Sequence, residues 1–568
     1  MTSTGGGLRL SVNPLDYTIL GIYFVIVLAI GLLARRAIAT SDDFFLSGRS
    51  LPGWITGLAF VSANLGAIEI LGNAANGVQY GLSTVHFYWI GAVPAMVFLG
   101  LVMMPFYYGS RVHSVPEYLR RRFDAKAHLF NGLSFAAASV LTAGVNLFAL
   151  ALVIKALLGW PQWLAIVASG LIVLVYITLG GLSGAIYNEV LQFFVIIAGL
   201  IPLVVVGMVK VGGWNGLKEK VVEAPNGSGG QLATWAGTHV GGATNPLGDW
   251  IGIVFGLGFV LSFGYWTTNF SEVQRALSAK DLSAARRTPL IGAFPKIFIP
   301  FLTVLPGLIA IVLLPGIGGL TADTPYADLT YNDAIPALMG QLLPNGVLGV
   351  ALTGLLAAFM AGMAANISSF NTVWTYDVWR PYVVKNRSDH YYLNVGRWVT
   401  VIGVGVSMLT AFIAAGYNNL FNYIQLLFSF FNAPLFATFL LGLFWKRMGV
   451  SAGFWGLFAG TLGALVAHFS FVGFGFLGYD KPLLTFTDSG QSQNFYGAII
   501  AFGADIVVSV LVTLVSAPKP AAELKGLVWG QAPTDLVDTS SDHWYTNVWW
   551  LGGIITALTV AVSVAVTV

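Results

Sequence analysis

Residues 57–77 read GLAFVSANLGAIEILGNAANG, and residues 256–270 read GLGFVLSFGYWTTNF. Both enter on a G-L-x-F-V pattern, at 57–61 and 256–260, and both then interrupt an apolar helix. In the first, Asn64, Gly66, Glu69, Gly72 and Asn73 fall where a membrane-spanning helix should be uniformly apolar. In the second, the interruption is expected near Ser262–Gly264. Irregular backbone at membrane depth is tolerated only where protein encloses it or where it lines a cavity. Two interrupted segments in corresponding positions of two halves are the sequence sign of an inverted repeat with a binding site between them. These two stretches therefore point past a plain bundle of spans, toward a repeated core built around a cavity.

The rest of the chain sets them in a membrane. Of 568 residues, 56% are hydrophobic and 9% charged, with mean hydropathy +0.78. A soluble chain carries about 25% charged residues. Apolar runs of about 20 residues, each long enough for a hydrocarbon core of roughly 30 Å, recur throughout. The chain is thus an all-α, multi-pass membrane protein. Net charge +3 gives no nucleic-acid footprint, and the absence of cysteine excludes disulfides, thiolate metal sites and thiol nucleophiles. No GxxxxGK[ST] loop or HExxH pattern occurs. The first run, Leu15–Leu33, is too long for a cleaved signal and is followed by Arg35 and Arg36, so it is expected to be retained.

Fourteen spans are expected: roughly 15–34, 54–79, 84–107, 128–158, 161–180, 185–211, 249–275, 286–314, 347–379, 393–416, 419–445, 450–473, 494–516 and 547–567. With the first span leading inward, the inner loops hold twenty Lys and Arg and the outer segments five. That asymmetry places both termini outside by the positive-inside rule. Five-span repeats must enter the membrane from opposite sides, and spans 2–6 and 7–11 do. The resulting organisation is an N-terminal tail, first helix and inner loop (1–53), a first five-helix repeat (54–211), an outer loop (212–248), a second repeat (249–446) and three flanking helices (447–568). The outer stretch 212–248 carries NGSGG and GTHVGGATN, and 315–346 carries Asp323, Asp328 and Asp333 with no Lys or Arg. Both are expected to be solvated connectors, a solute vestibule or lid being the other possibility.

Several motifs stand in order along 15–450: FFLSGRSLPGW (44–54), SVPEYLRRRF (114–123), ITLGGLSGAIYNEVLQ (177–192), VQRALSAKDLSAA (273–285), YIQ (423–425) and FLLGLFWKR (439–447). Together they resemble the sodium/solute symporter family, in particular sodium–galactose and sodium–glucose cotransporters. The resemblance implies a LeuT-type core of ten helices in a 5+5 inverted repeat, importing solute by alternating access. It places solute between the broken first and sixth core helices, and sodium between the first and eighth.

Ionisable groups inside spans cost about 2.5–3.5 kcal/mol at a helix centre, which marks them as functional candidates. Glu69, Lys155, Glu189 and Lys296 qualify on this ground. Lys155, near the outer end of its span, is expected to snorkel and to be structural. By resemblance Glu69 falls on a solute-contacting position, usually Gln, and Lys296 in GAFPKIFIP on a lysine that reaches a sugar hydroxyl. A buried Glu69–Lys296 ion pair is the structural alternative. Glu189 falls near the sodium path, the alternative being a helix-end anchor. The resemblance further implies solute contacts at Gln425, Tyr265 and Trp266, with Asn146 steadying the gate. Ser262 stands where an Asn is expected. Tyr88 stands for the galactose carriers' Glu, and Gly91 for a nearby Ser, so the pocket keeps one carboxylate but moves it.

The implied sodium ligands are carbonyls of Ser62, Leu65 and Ala358 with two serine hydroxyls. A gapless alignment from GVLG (346–349) to TYD (375–377) puts those serines on Ala361 and Gly362, in the stretch LLAAFMAGMAANISS (355–369). Hard cations need oxygen ligands, so this site is two short. Three outcomes are open: sodium held with Ser62 and water, a proton carried by Glu69 or Glu189, or an uncoupled carrier. Ser368 and Ser369 lie seven residues further on and are expected to bond back to the preceding turn. The expected activity is secondary-active import of a small polar solute, most simply a sugar, across a bacterial-type plasma membrane. No enzyme site, cofactor or obligate protein partner is indicated, beyond sodium or a proton, the solute and the bilayer. A membrane solute sensor is the alternative of a different class, disfavoured because the inner segment 517–546 is short.

Overall fold

The computed structural model describes residues 8–35, 40–235, 246–319, 324–475, 479–531 and 543–567. Arg36, Asp323 and the GTHVGGATN stretch (237–245) lie outside the described residues. Among the described residues, ten helices are long and apolar enough to cross a membrane, or thirteen if three bent pairs each count as one span. A shorter apolar helix, Gln162–Val175, stands in the remaining expected span.

The three bent pairs carry the architecture. Gly53–Asn64 and Ile68–Gln79 meet at 57°, as the interrupted 57–77 segment suggested. Gly252–Thr268 and Phe270–Leu277 meet at 46°. Their break is at Asn269, not near Ser262–Gly264. Gly264 serves close packing instead: a Cβ there would meet the Asn432 carbonyl oxygen at 2.9 Å. The stretch Gly252–Ser262 widens into a π-helix without unwinding, whereas Asn269 turns extended and its side chain caps Ser271 N. A third bend, 48° between Leu282–Lys296 and Pro300–Leu313, interrupts a span expected to be continuous. Pro295 and Pro300 lie at this break and lack the N–H that would carry the helix through it. The expected spans 161–180 and 185–211 are two helices, Gln162–Val175 and Gly181–Val211, joined by a sharp kink at Gly181, whose backbone (φ 54°, ψ −156°) is not helical. That backbone favours glycine, so the kink replaces a loop.

The Val347–Val373 helix is buried along most of its length and packs on Ala125–Leu158 and Gly181–Val211. Small residues set that contact, since a Cβ on Gly354 would meet Gly199 Cα at 3.3 Å. Without a hydrophobic driving force between helices in lipid, such close approach supplies much of the packing energy. The N-terminus of this helix is capped from a distance. Asp16, fully buried on Pro14–Arg35, accepts from Gly346 N at 2.7 Å and Gly349 N at 2.8 Å through Oδ1. The first helix is thereby fixed to the core. Ser369, as expected, bonds back to the Ala365 carbonyl at 2.9 Å, and its hydroxyl also meets Ser271 Oγ at 2.6 Å.

Asp16→Ala removes both capping bonds and is expected to cost about 3–6 kcal/mol, at roughly 1.5–3 kcal/mol per lost bond to a charged acceptor. Asp16→Asn, which keeps an acceptor, should cost less. Thermal unfolding in detergent reads both.

Candidate solute and ion site

The bends of the first two pairs face a cavity of about 60 Å³, room for a few waters. Its wall brings together Glu69, Asn146, Ser262, Tyr265, Trp266, Gly362 and Gln425 of the residues singled out from sequence. Tyr88, Lys296, Glu189, Ser62, Leu65, Ala358 and Ala361 are buried outside that wall.

Lys296 lies directly behind it. The side chain is fully buried, with Nζ 3.1 Å from Glu69 Oε2. It also donates to Asn64 Oδ1, and it stands 5.1 Å from the centre of the Trp266 ring and 5.4 Å from that of Tyr88. Asn64 Nδ2 in turn donates to the Tyr265 hydroxyl at 2.9 Å, and that hydroxyl donates to Glu272 Oε1 at 2.7 Å. One chain of polar contacts thus runs Glu69–Lys296–Asn64–Tyr265–Glu272 through all three bent spans. Tyr88 is tied elsewhere: its hydroxyl accepts from Asn73 Nδ2 at 2.9 Å and meets Thr303 Oγ1 at 2.9 Å.

The other wall closes on the break after Asn64. Asn146 Oδ1 accepts from Ala67 N at 2.9 Å, satisfying a backbone donor freed by the interruption. Tyr265, expected to be steadied by Asn146, is held instead by Asn64 and Glu272. The approach of Asn146 depends on glycine at two points. A Cβ on Gly66 would meet Asn146 Oδ1 at 2.5 Å, and one on Gly362 would collide with the same atom. A serine at 362 has no room while Asn146 stands there. Ser62 Oγ is buried and has no hydrogen-bond partner among the described residues. Glu189 forms a fully buried ion pair with Arg275: Arg275 Nη2 donates to Oε1, and Nε to Oε2 at 3.2 Å.

Asn64 and Glu272 were not assigned roles from sequence. Asn64 was visible as an interruption, but its partners come from two other spans. Glu272 meets the same criterion that selected Glu69, being ionisable within the expected span 249–275. It lies three residues from the end of that span, directly before VQRALSAKDLSAA.

The model of the sodium:solute symporter family matches residues 44–460. The sodium/glucose cotransporter 4 of Homo sapiens is 31% identical over 92% of this chain and 79% of its own length. The sodium/glucose cotransporter of Vibrio parahaemolyticus is 30% identical over 76% of this chain and 81% of its own. Among solved structures, a Na+-coupled sialic acid symporter in a substrate-bound outward-open state aligns with TM-score 0.73 and 20% identity, over 89% of this chain and 99% of that one. The fold is shared with that symporter.

Removing one partner of a buried ion pair costs about 3–5 kcal/mol, whereas replacing both is far milder. Glu69→Gln and Lys296→Met are therefore each expected to lower thermal stability markedly, and the double variant to recover part of the loss. Gly362→Ser should displace Asn146 and lower stability by more than Asn146→Ala does; Gly362→Ser combined with Asn146→Ala should relieve the collision.

Proposed function

The chain belongs to the sodium:solute symporter family, and on that premise we propose that it imports a sugar such as galactose or glucose by alternating access, driven by a sodium gradient. The observation that carries this is the convergence of Glu69, Gln425, Tyr265 and Trp266 on one cavity between two broken spans. A carboxylate accepts from sugar hydroxyls, and an amide both accepts and donates. Gln425 Oε1 is buried without a hydrogen-bond partner among the described residues, which leaves it available to a hydroxyl. The aromatic faces of Tyr265 and Trp266 suit the C–H face of a sugar ring, with Ser262 beside them. Lys296 and Tyr88 support the wall from behind, Lys296 by fixing the orientation of Glu69.

The sodium site lies between the first broken span and the Val347–Val373 helix. Its ligands are the Ser62 hydroxyl with the carbonyls of Ser62, Leu65 and Ala358, while Ala361 and Gly362 contribute none. The unpartnered Ser62 Oγ supports this, because a buried hydroxyl without a partner is costly unless a ligand completes it. Glu189 acts as the counter-ion of Arg275 at the inner end of this path. The repeats span 54–211 and 249–446, flanked by 1–53 and 447–568, with both termini outside a plasma membrane. The 60 Å³ cavity is too small for a sugar, so binding requires the bent spans to part.

Uptake of labelled galactose and glucose into proteoliposomes tests this. An inward sodium gradient should drive accumulation that collapses when the gradient is dissipated, and uptake indifferent to sodium would refute the coupling. Gln425→Leu should raise KM about tenfold, the loss of roughly one hydrogen bond to solute. Ser62→Ala should raise the sodium concentration needed for half-maximal uptake.

A further inference from the structure

Glu272 has no part in the sugar or sodium contacts above, yet it faces the same cavity. It is 2% exposed. Its Oε1 accepts from Tyr265, while Oε2 is buried with no hydrogen-bond partner among the described residues. The charges around it do not balance. Glu69 is paired with Lys296, and Glu189 with Arg275. Among the described residues at this centre, three carboxylates therefore face two cations. A carboxylate without a counter-ion in a protein interior is costly, so a group that binds there and neutralises it is strongly favoured.

The surrounding elements supply no further cation beside it. The Phe270–Leu277 helix that carries Glu272 packs on Gly53–Asn64 and Val347–Val373, neither of which has a titratable side chain. Leu282–Lys296 brings Lys296, already engaged by Glu69 and Asn64, and, a turn or two from its start, Arg286 and Arg287. Arg286 bonds the carbonyls of Gly100 and Leu101, and Arg287 that of Ser283. Phe263–Thr268 brings Tyr265, Met104–Gly109 brings Tyr107 and Tyr108, and Ser41–Leu46 brings Asp43. Arg275, on the same helix, is engaged by Glu189.

We propose that Glu272 is a proton-binding site of the transport cycle, and that its charge sets how tightly Tyr265 is held. This rests on the transport function for its consequence, but not for the titration itself. A proton fits better than a metal ion, because one buried oxygen lacks a partner and a hard cation needs several. It fits better than an amine on a solute, because Oε2 is itself buried and a proton needs no room beside it. With Glu272 ionised, the Tyr265 bond is charge-assisted. With a proton on Oε2 the bond is neutral, and about half as strong. Only an O–H bond forms, with a proton drawn from water on one side of the membrane and returned to water on the other. Because Tyr265 also accepts from Asn64, the loosening reaches Lys296 and Glu69 along the same chain of contacts.

The test uses the full-length protein in liposomes, with two measurements. Infrared difference spectra between acidic and alkaline buffer should show a buried carboxylic-acid band in the wild type. That band should be absent from Glu272→Gln, retained by Glu69→Gln and shifted in Glu272→Asp. In the second, with equal sodium on both sides, an inward gradient of about one pH unit should drive galactose accumulation of up to about tenfold for one proton per solute. Glu272→Gln should lose that drive and Glu272→Asp keep part of it. A band untouched by Glu272→Gln would overturn the proposal. So would loss of sodium-22 binding in Glu272→Gln with no carboxylic-acid band in the wild type. The expected band pattern without galactose accumulation under any gradient would uphold the proton site and sink the sugar assignment instead.

Discussion

A fully buried lysine has to be paired, and the centre of this fold is organised by how Lys296 is paired. The desolvation penalty of a buried ion is several kcal/mol, offset only by good geometry and further hydrogen bonds. Its two partners, Glu69 and Asn64, come from one segment. In a straight helix those positions would lie about 7.5 Å apart along the axis and about 140° apart around it. They could not both reach one ammonium comfortably. The 57° bend between Asn64 and Ile68 is what turns both toward Lys296. The bend at Pro295–Pro300 places Lys296 opposite them. The interruption of the first core span is thus tied to the charge pair it serves.

Breaking a helix inside a membrane frees backbone donors that no water can satisfy. Asn146 meets one of them at Ala67, and Gly66 and Gly362 make the space for it. This links two features that look separate in the sequence. The hydroxyl missing at Gly362 is the room that the Asn146 amide occupies. The lack of a side chain at Gly362 and the capping of the broken helix are one packing solution, in which an amide oxygen from Ala125–Leu158 stands where a serine is implied by family resemblance.

Much of this was legible in the sequence, for physical reasons. Spans are long apolar runs, so they show in composition, and every expected span has a helix among the described residues, the fifth and sixth meeting at the kink on Gly181. The first break showed as polar residues where none belong. Glu69 and Lys296 show through the cost of burying charge, which also makes their pairing one of two expected arrangements. The second break did not show: Ser262–Gly264 looks like an interruption, but there the glycine serves a close contact with Asn432, and the turn falls on Asn269. Which face Asn64 presents, and which atoms Tyr265 bonds, depend on how separate spans pack. No local pattern carries that. Glu272 stands at the very end of its expected span, where a charge costs less than at the centre, so burial cost alone does not mark it.

Alternating access requires the cavity between the bent spans to open to one side of the membrane at a time. The chain contains no cysteine, so a single Ala63→Cys in the cavity wall gives an unambiguous reporter. The measurement is its rate of alkylation by a membrane-impermeant maleimide, applied to either side of sealed vesicles with sodium and galactose varied. Reaction from the outer side should be promoted by sodium and suppressed by galactose with sodium, accompanied by a rise in reaction from the inner side. Reaction from both sides at equal rates, indifferent to sodium and solute, would contradict alternating access.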